Sequence, residues 1–131
     1  MKRYLSRLLA LVLVVTIGLI GCSGSTSITG DYRQDTLALV NTLRTAIELP
    51  DDSPDKAAAQ AEARIRINDF AARYRRDNSL TTLRSFTTMR TALNNLAGHY
   101  SSYPNRPVPE KLKDRLEQEF KQVEAALKRG L

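Results

Sequence analysis

The apolar positions of this chain fall into one short continuous run and four periodic stretches. Leu8 to Ile20 is an apolar run of 13 residues. The periodic stretches follow it. Leu37, Val40, Leu43 and Ile47 recur at helical spacing and stop before Pro50. Asp31, with Gln34 three residues on, has the form of a capping box for this first helix. Asp51 to Pro54 reads as a turn. Ser53 is placed to cap a second helix, with Pro54 at its first position and Asp55 near its positive end. Ala58, Ala61, Ile65 and Ala72 give that helix a stripe of small residues, widened by Phe70 and Tyr74. Asp77-Asn78-Ser79 ends it. Phe86, Met89, Leu93, Leu96 and Tyr100 alternate by three and four and predict a third helix. Tyr103 to Pro109 contains three prolines and cannot be helical throughout. Leu112, Leu116, Phe120, Val123 and Leu127 mark one face of a fourth helix, with Lys128 and Arg129 at its negative end and Gly130 suited to cap it.

No stretch alternates apolar and polar residues, and there is no Asn-Gly or Asp-Gly hairpin turn. The expected fold is therefore all-α: four amphipathic helices of about 20 residues, each about 30 Å long, joined by short connections as an up-down-up-down four-helix bundle. A monomer is expected.

The apolar run at the start is too short to span a bilayer, which takes about 20 residues. Lys2, Arg3 and Arg7 precede it, and no acid occurs before Asp31. This is the order of a signal peptide. Leu19-Ile20-Gly21-Cys22 closes it and holds the only cysteine of the chain. The segment resembles the bacterial lipoprotein signal. The resemblance implies a diacylglycerol group on the Cys22 sulfur, cleavage after Gly21 and acylation of the new amino terminus. Two or more acyl chains, at about 0.8 kcal/mol per buried CH₂, hold a protein firmly on a membrane. The expected organisation is a cleaved leader over 1–21, a lipidated flexible tether over 22–30 and the bundle over 31–131. Ser23 to Gly30 is small and polar and suits a tether.

Removing the leader changes the charge. The whole chain carries 20 basic and 14 acidic residues, a net charge of +6. The leader holds three of the basic residues and none of the acids, so the mature chain is only weakly basic. Export also removes access to nucleic acid, so a nucleic-acid partner is excluded.

Catalytic chemistry is not written in the chain. There is no His-Glu-x-x-His, no Gly-rich phosphate loop and no cysteine pair. His99, the single histidine, has no second ligand one helical turn away, whereas a zinc site needs three or four ligands. No catalytic residue and no metal ligand is assigned, the reading is non-enzymatic, and the only expected cofactor-like group is the lipid on Cys22. Asp51, Asp52 and Asp55 on the first turn give a weak case for a manganese carrier, since hard cations want six or more oxygen ligands. A general structural envelope lipoprotein is a further alternative.

Charged residues mostly form ladders. Glu62, Arg66, Asp69 and Arg73 alternate in sign, as do Lys113, Glu117, Lys121, Glu124 and Lys128. These read as solvated helix faces. Arg73-Tyr74-Arg75-Arg76 is a basic patch that serves the negative end of the second helix, with anionic lipid headgroups as the lesser reading. The third helix departs from this pattern. With Phe86 to Tyr100 facing inward, Arg84, Thr88, Thr91, Asn95 and Ser102 point away from the core and carry one charge between them; Gly98 and His99 lie beside them. Interface cores are depleted in charge, so this stripe is a candidate docking surface. Tyr103 and Arg106 in the adjoining Pro-rich connection are residue types favoured at binding hot spots. The candidate partner-binding residues are thus Arg84, Thr88, Thr91, Asn95, His99, Tyr103 and Arg106.

Several segments also carry a family resemblance: Ser85-Phe86-Thr87-Thr88-Met89, Thr91-Ala92-Leu93-Asn94, Leu96-Ala97-Gly98-His99-Tyr100 and Pro109-Glu110-Lys111-Leu112-Lys113, with Asp35-Thr36-Leu37, Asn68-Asp69 and Tyr74-Arg75-Arg76. They resemble the small photosystem II assembly lipoproteins of cyanobacteria over nearly the whole mature domain. The resemblance implies a four-helix assembly and repair factor anchored to the lumenal side of the thylakoid membrane. It implies transient binding to photosystem II intermediates, next to the large lumenal loop of a chlorophyll-binding inner antenna subunit. It further implies that binding precedes maturation of the manganese cluster and blocks early docking of the extrinsic subunits.

Overall fold

The computed structural model describes residues 28–104 and 106–131. The leader, Cys22 and most of the tether lie outside the described residues. Four helices run in the expected order: α1 (Tyr32–Glu48), α2 (Lys56–Tyr74), α3 (Arg84–Ser102) and α4 (Glu110–Lys128). Nineteen residues at 1.5 Å per residue make each of the last three about 28 Å long. No helix among the described residues is long and apolar enough to cross a membrane.

Asp31 caps α1 as its position predicts: its Oδ1 accepts the Gln34 amide at 3.1 Å. The reciprocal half of the capping box is supplied differently. The Asp31 amide donates to Thr29 Oγ1 at 3.2 Å. The buried face of α1 is Leu39, Val40, Leu43, Ala46 and Ile47, joined by Asp35 and Thr36; Leu37 sits at its edge, half-buried. In the turn before α2 the Asp55 amide donates to Ser53 Oγ at 3.3 Å, and regular helix begins at Lys56.

The inward face of α2 is not the predicted one. Ala58, Ala61, Ile65 and Ala72 are exposed, Ile65 at 57%. The buried face is Lys56, Ala63, Ile67, Phe70 and Tyr74, again at spacings of three and four once half-buried Ala59 is included. Ile65 and Ile67 are two residues apart, which is about 200° around a helix, so only one of them can face the core. Phe70 and Tyr74 decide which. They are the large side chains, and the face that buries them carries Ile67.

α3 and α4 bury the faces their sequences predict. Met89, Leu96, Leu116, Phe120 and Val123 are fully buried. Truncating a fully buried residue of this kind, such as Phe120→Ala, costs about 3–5 kcal/mol. Gly130 ends α4 with a φ of +74°, a left-handed conformation that glycine adopts without a Cβ penalty. Its amide donates to Leu127 O at 3.1 Å and the Leu131 amide donates to Ala126 O at 2.9 Å, the two bonds of a Schellman end.

The helices pair as two hairpins, α1 on α2 and α3 on α4, with α4 also against α1 and only sparing contact between α2 and α3. The α4 charge ladder is not purely a solvated face. Arg44 of α1 reaches across to it. Arg44 Nε donates to Glu117 Oε2 at 3.0 Å, a second nitrogen lies 2.9 Å from Glu117 Oε1, and the same guanidinium pairs with Glu124. The α2 ladder is as expected at Arg66, which pairs with Glu62 at 2.7 Å.

Candidate functional site

The up-down topology sorts the chain's polar features into two ends. One end gathers the start of α1, the end of α2, the start of α3 and the end of α4. Tyr32 Oη lies 2.8 Å from Ser85 Oγ there, and the Ser85 amide faces Leu131 O at 3.4 Å. The other end gathers the Asp51–Asp55 turn and the Pro-rich connection between α3 and α4.

At the first end the chain enters the bundle through a clasp centred on Asp35. This carboxylate is 3% exposed. Its Oδ1 accepts Thr29 Oγ1 at 2.7 Å and the Thr29 amide at 2.9 Å. Its Oδ2 accepts the Gly30 amide at 3.1 Å and the Tyr74 hydroxyl. Burial alone would raise the pKa of Asp35. The hydrogen bonds from Tyr74, Thr29 and Gly30 more than offset it, and the net shift is downward. Burial and the Asp35 carboxylate push Tyr74 well above the usual tyrosine range. Tyr74 packs its ring 5.5 Å from Tyr32 and 5.0 Å from Phe70. Gly30 takes a φ of +91° to turn its amide toward Asp35. Ile28 packs against the core. Among the described residues, packing against the core thus includes Ile28, in the segment that precedes α1. No sequence signal marks the clasp, because its two acid–phenol partners are 39 residues apart.

At the far end the structure brings three of the seven candidate docking residues together. The His99 ring lies 5.6 Å from the Tyr103 ring, and the Arg106 guanidinium sits 5.4 Å from the Tyr103 centroid. His99 Nε2 donates to Arg106 O at 3.3 Å. Tyr103 is 48% exposed, one of few large apolar side chains so presented among the described residues. A shallow depression of about 280 Å³ adjoins this cluster, with Asp51, Lys56 and Arg106 among its walls. Asp51 is already engaged: Lys56 Nζ donates to its Oδ1 at 2.7 Å and to Leu49 O at 2.9 Å. That ammonium holds the Asp51 carboxyl below the usual range. The acidic turn is thus bound to a buried lysine, and no three metal-ligating side chains converge among the described residues.

The other four candidates lie along α3. Arg84 and Thr91 are exposed, as is Ser102 beside them. Thr88 and Asn95 are half-buried, and Asn95 Nδ2 is fully buried with no hydrogen-bond partner. The outward direction inferred for these two is corrected here. α4 packs on α3, and Arg84 and Thr88 share a depression of about 400 Å³ with Gln122 and Ala125 of α4 and with Arg129 just after it. Only the exposed members of the stripe are available to a partner.

The family model described as Photosystem II Pbs27 matches residues 11–127. The chain belongs to this family, the Psb27 lipoproteins. Psb27 proteins are non-enzymatic assembly factors. The "Photosystem II assembly factor lipoprotein Psb27" of Thermosynechococcus vestitus is 63% identical over 98% of this chain and 97% of its own. The "Photosystem II lipoprotein Psb27" of Synechocystis is 56% identical over 100% of this chain and 98% of its own. The chloroplast "Photosystem II repair protein PSB27-H1" of Arabidopsis thaliana is 37% identical over 76% of this chain, which spans 58% of that relative's length. Among solved structures, the solution structure of a cyanobacterial Psb27 superposes with a TM-score of 0.76 at 54% identity, over 82% of this chain and 93% of its own. The crystal structure of Arabidopsis PSB27 superposes with a TM-score of 0.75 at 36% identity. That crystallised chain is matched over 99% of its length while covering 77% of this one.

Proposed function

We propose that this chain is a lipid-anchored assembly and repair factor of photosystem II, held on the lumenal side of the thylakoid membrane by acyl chains on Cys22. It binds assembly intermediates transiently, beside the large lumenal loop of the chlorophyll-binding inner antenna subunit. It occupies that surface before the manganese cluster matures and keeps the extrinsic subunits from docking early. The observation that carries the reading is near-complete coverage by relatives named as photosystem II assembly and lipoprotein factors. The geometry supports it. Tyr103, His99 and Arg106 form an exposed aromatic and cationic cluster at the end of the bundle away from the tether. Together with exposed Thr91 they are the surface we assign to the partner, with Thr88 and Asn95 supporting it from the α3/α4 seam; Arg84, at the opposite end of α3, is left out of it.

The mechanism is occupancy. A surface that presents one aromatic anchor and few charges binds by burial and leaves when the partner changes shape. Affinity isolation through the chain tests this. Photosystem II intermediates without an active manganese cluster are expected in the bound fraction, and oxygen-evolving complexes are expected to be depleted. Equal recovery of both overturns the proposal. A photoreactive group at Tyr103 is expected to crosslink to the lumenal loop of the antenna subunit.

A further inference from the structure

The end of the bundle that receives the tether is strongly basic. Arg73, Arg75 and Arg76 close α2, Arg84 opens α3, and Lys128 and Arg129 close α4. All six are exposed. Three separate points in the sequence supply them, and only the up-down topology makes them neighbours. None is in an ion pair among the described residues, whereas Arg44, Lys56, Arg66, Lys113 and Arg115 all are. Arg73 instead stacks 5.3 Å from the Tyr74 centroid. The acids of this end are already committed. Asp31 caps α1, Asp35 is buried in the clasp, and Asp77 accepts the Ser79 amide and hydroxyl. The far end is mixed, with Glu48, Asp51, Asp52, Asp55 and Glu110 set against Lys56, Arg106, Lys111 and Lys113.

We infer that this basic end is a second membrane contact, which rests on anionic lipid headgroups and stands the bundle upright on the bilayer. Other polyanions would be attracted by the same charge. The choice of a lipid surface rests on the tether, and so on the reading of Cys22 as the anchor. The clasp fixes Ile28 to Gly30 to the domain, so only residues 23–27 separate Cys22 from it. Five residues span at most about 18 Å. A lipid at Cys22 therefore holds this end, and not the far end about 28 Å away, against the headgroups. Each basic residue at an anionic surface raises partitioning about fivefold. The geometry also leaves the Tyr103 cluster facing away from the membrane.

The test uses residues 22–131 with Cys22→Ser, so that no acyl chain contributes. Flotation is measured with vesicles of phosphatidylcholine alone and with a two-to-one mixture of phosphatidylcholine and phosphatidylglycerol. Salt is raised from about 0.02 M to about 0.3 M, which shortens the screening length from about 20 Å to about 6 Å. The expected result is flotation only with the anionic vesicles and only at low salt. R75E/R76E/R129E is expected to lower partitioning at least about 100-fold. The far-end variant K111E/K113E is expected to stay within about threefold of the parent, because its charges lie beyond the screening length. Unchanged melting curves show that the variants fold. Failure to float with anionic vesicles, equal flotation of R75E/R76E/R129E, or retention on soluble polyglutamate in place of vesicles each overturns the inference. The mass of the amino-terminal peptide of the full, membrane-extracted chain tests the lipid on Cys22 separately.

Discussion

Tyr74→Phe removes one hydroxyl from a buried network and leaves everything else in place. The Tyr74 ring stays packed against Tyr32 and Phe70, so no cavity opens. What is lost is one of four donors to the Asp35 carboxylate. A hydrogen bond to a charged, buried acceptor contributes about 1.5–3 kcal/mol. Three donors remain to share the charge, so the expected cost is about 2 kcal/mol. In a domain of this size that lowers the melting temperature by about 8–15 °C. The pH dependence follows from the same carboxylate. Its pKa is depressed in the folded state, so the stability it contributes is fully present above the unfolded value, about 3.9, and is lost as pH falls through the folded value. The difference between parent and variant is therefore expected to be full at neutral pH and to shrink once Asp35 is protonated in both. Urea or thermal unfolding followed by circular dichroism at pH 7 and at successively lower pH measures it. A difference below about 0.5 kcal/mol at pH 7, or one that does not shrink anywhere down the acid limb, refutes the reasoning about the clasp.

Three other outcomes are expected. Ile67→Ala costs about 2–4 kcal/mol and Ile65→Ala stays within about 0.5 kcal/mol, and chemical unfolding of the pair reads out which face of α2 is inward. Arg44→Ala costs about 1 kcal/mol, because its partners are partly exposed, and the loss is smaller in high salt; denaturation at two ionic strengths checks it. Gly30→Ala strains a left-handed residue and costs about 1 kcal/mol, with faster hydrogen exchange at the Thr29 and Gly30 amides as its signature.

The four helices and the family were legible in the sequence because large apolar residues mark α1, α3 and α4 at helical spacing, and because the α3 segment is distinctive. The inward face of α2 was not. Its apolar residues are mostly alanines, which weigh little on either side, and two isoleucines on opposite faces give conflicting signals. Only packing of Phe70 and Tyr74 resolves them. The docking candidates show the same limit. His99, Tyr103 and Arg106 are close in sequence and come together in space. Thr88 and Asn95 looked outward because the stripe on α3 shows where its core lies but not which flank α4 covers. The Arg44 bridge joins residues 73 and 80 positions apart, a separation at which no local pattern exists.

The hydrogen bonds from Thr29 and Gly30 also set the slack in the leash. Were Cys22 lipidated, eight residues would separate it from the bundle without the clasp and five would with it. Effective concentration falls as about the −3/2 power of linker length, so the clasp would then roughly double the concentration of the basic end at a membrane surface. The factor is small, but it is adjustable without touching the lipid or the bundle. If Cys22 carries the proposed lipid, a single buried carboxylate would thus act as a length setting for the anchor, and a variant that loses it would let out line.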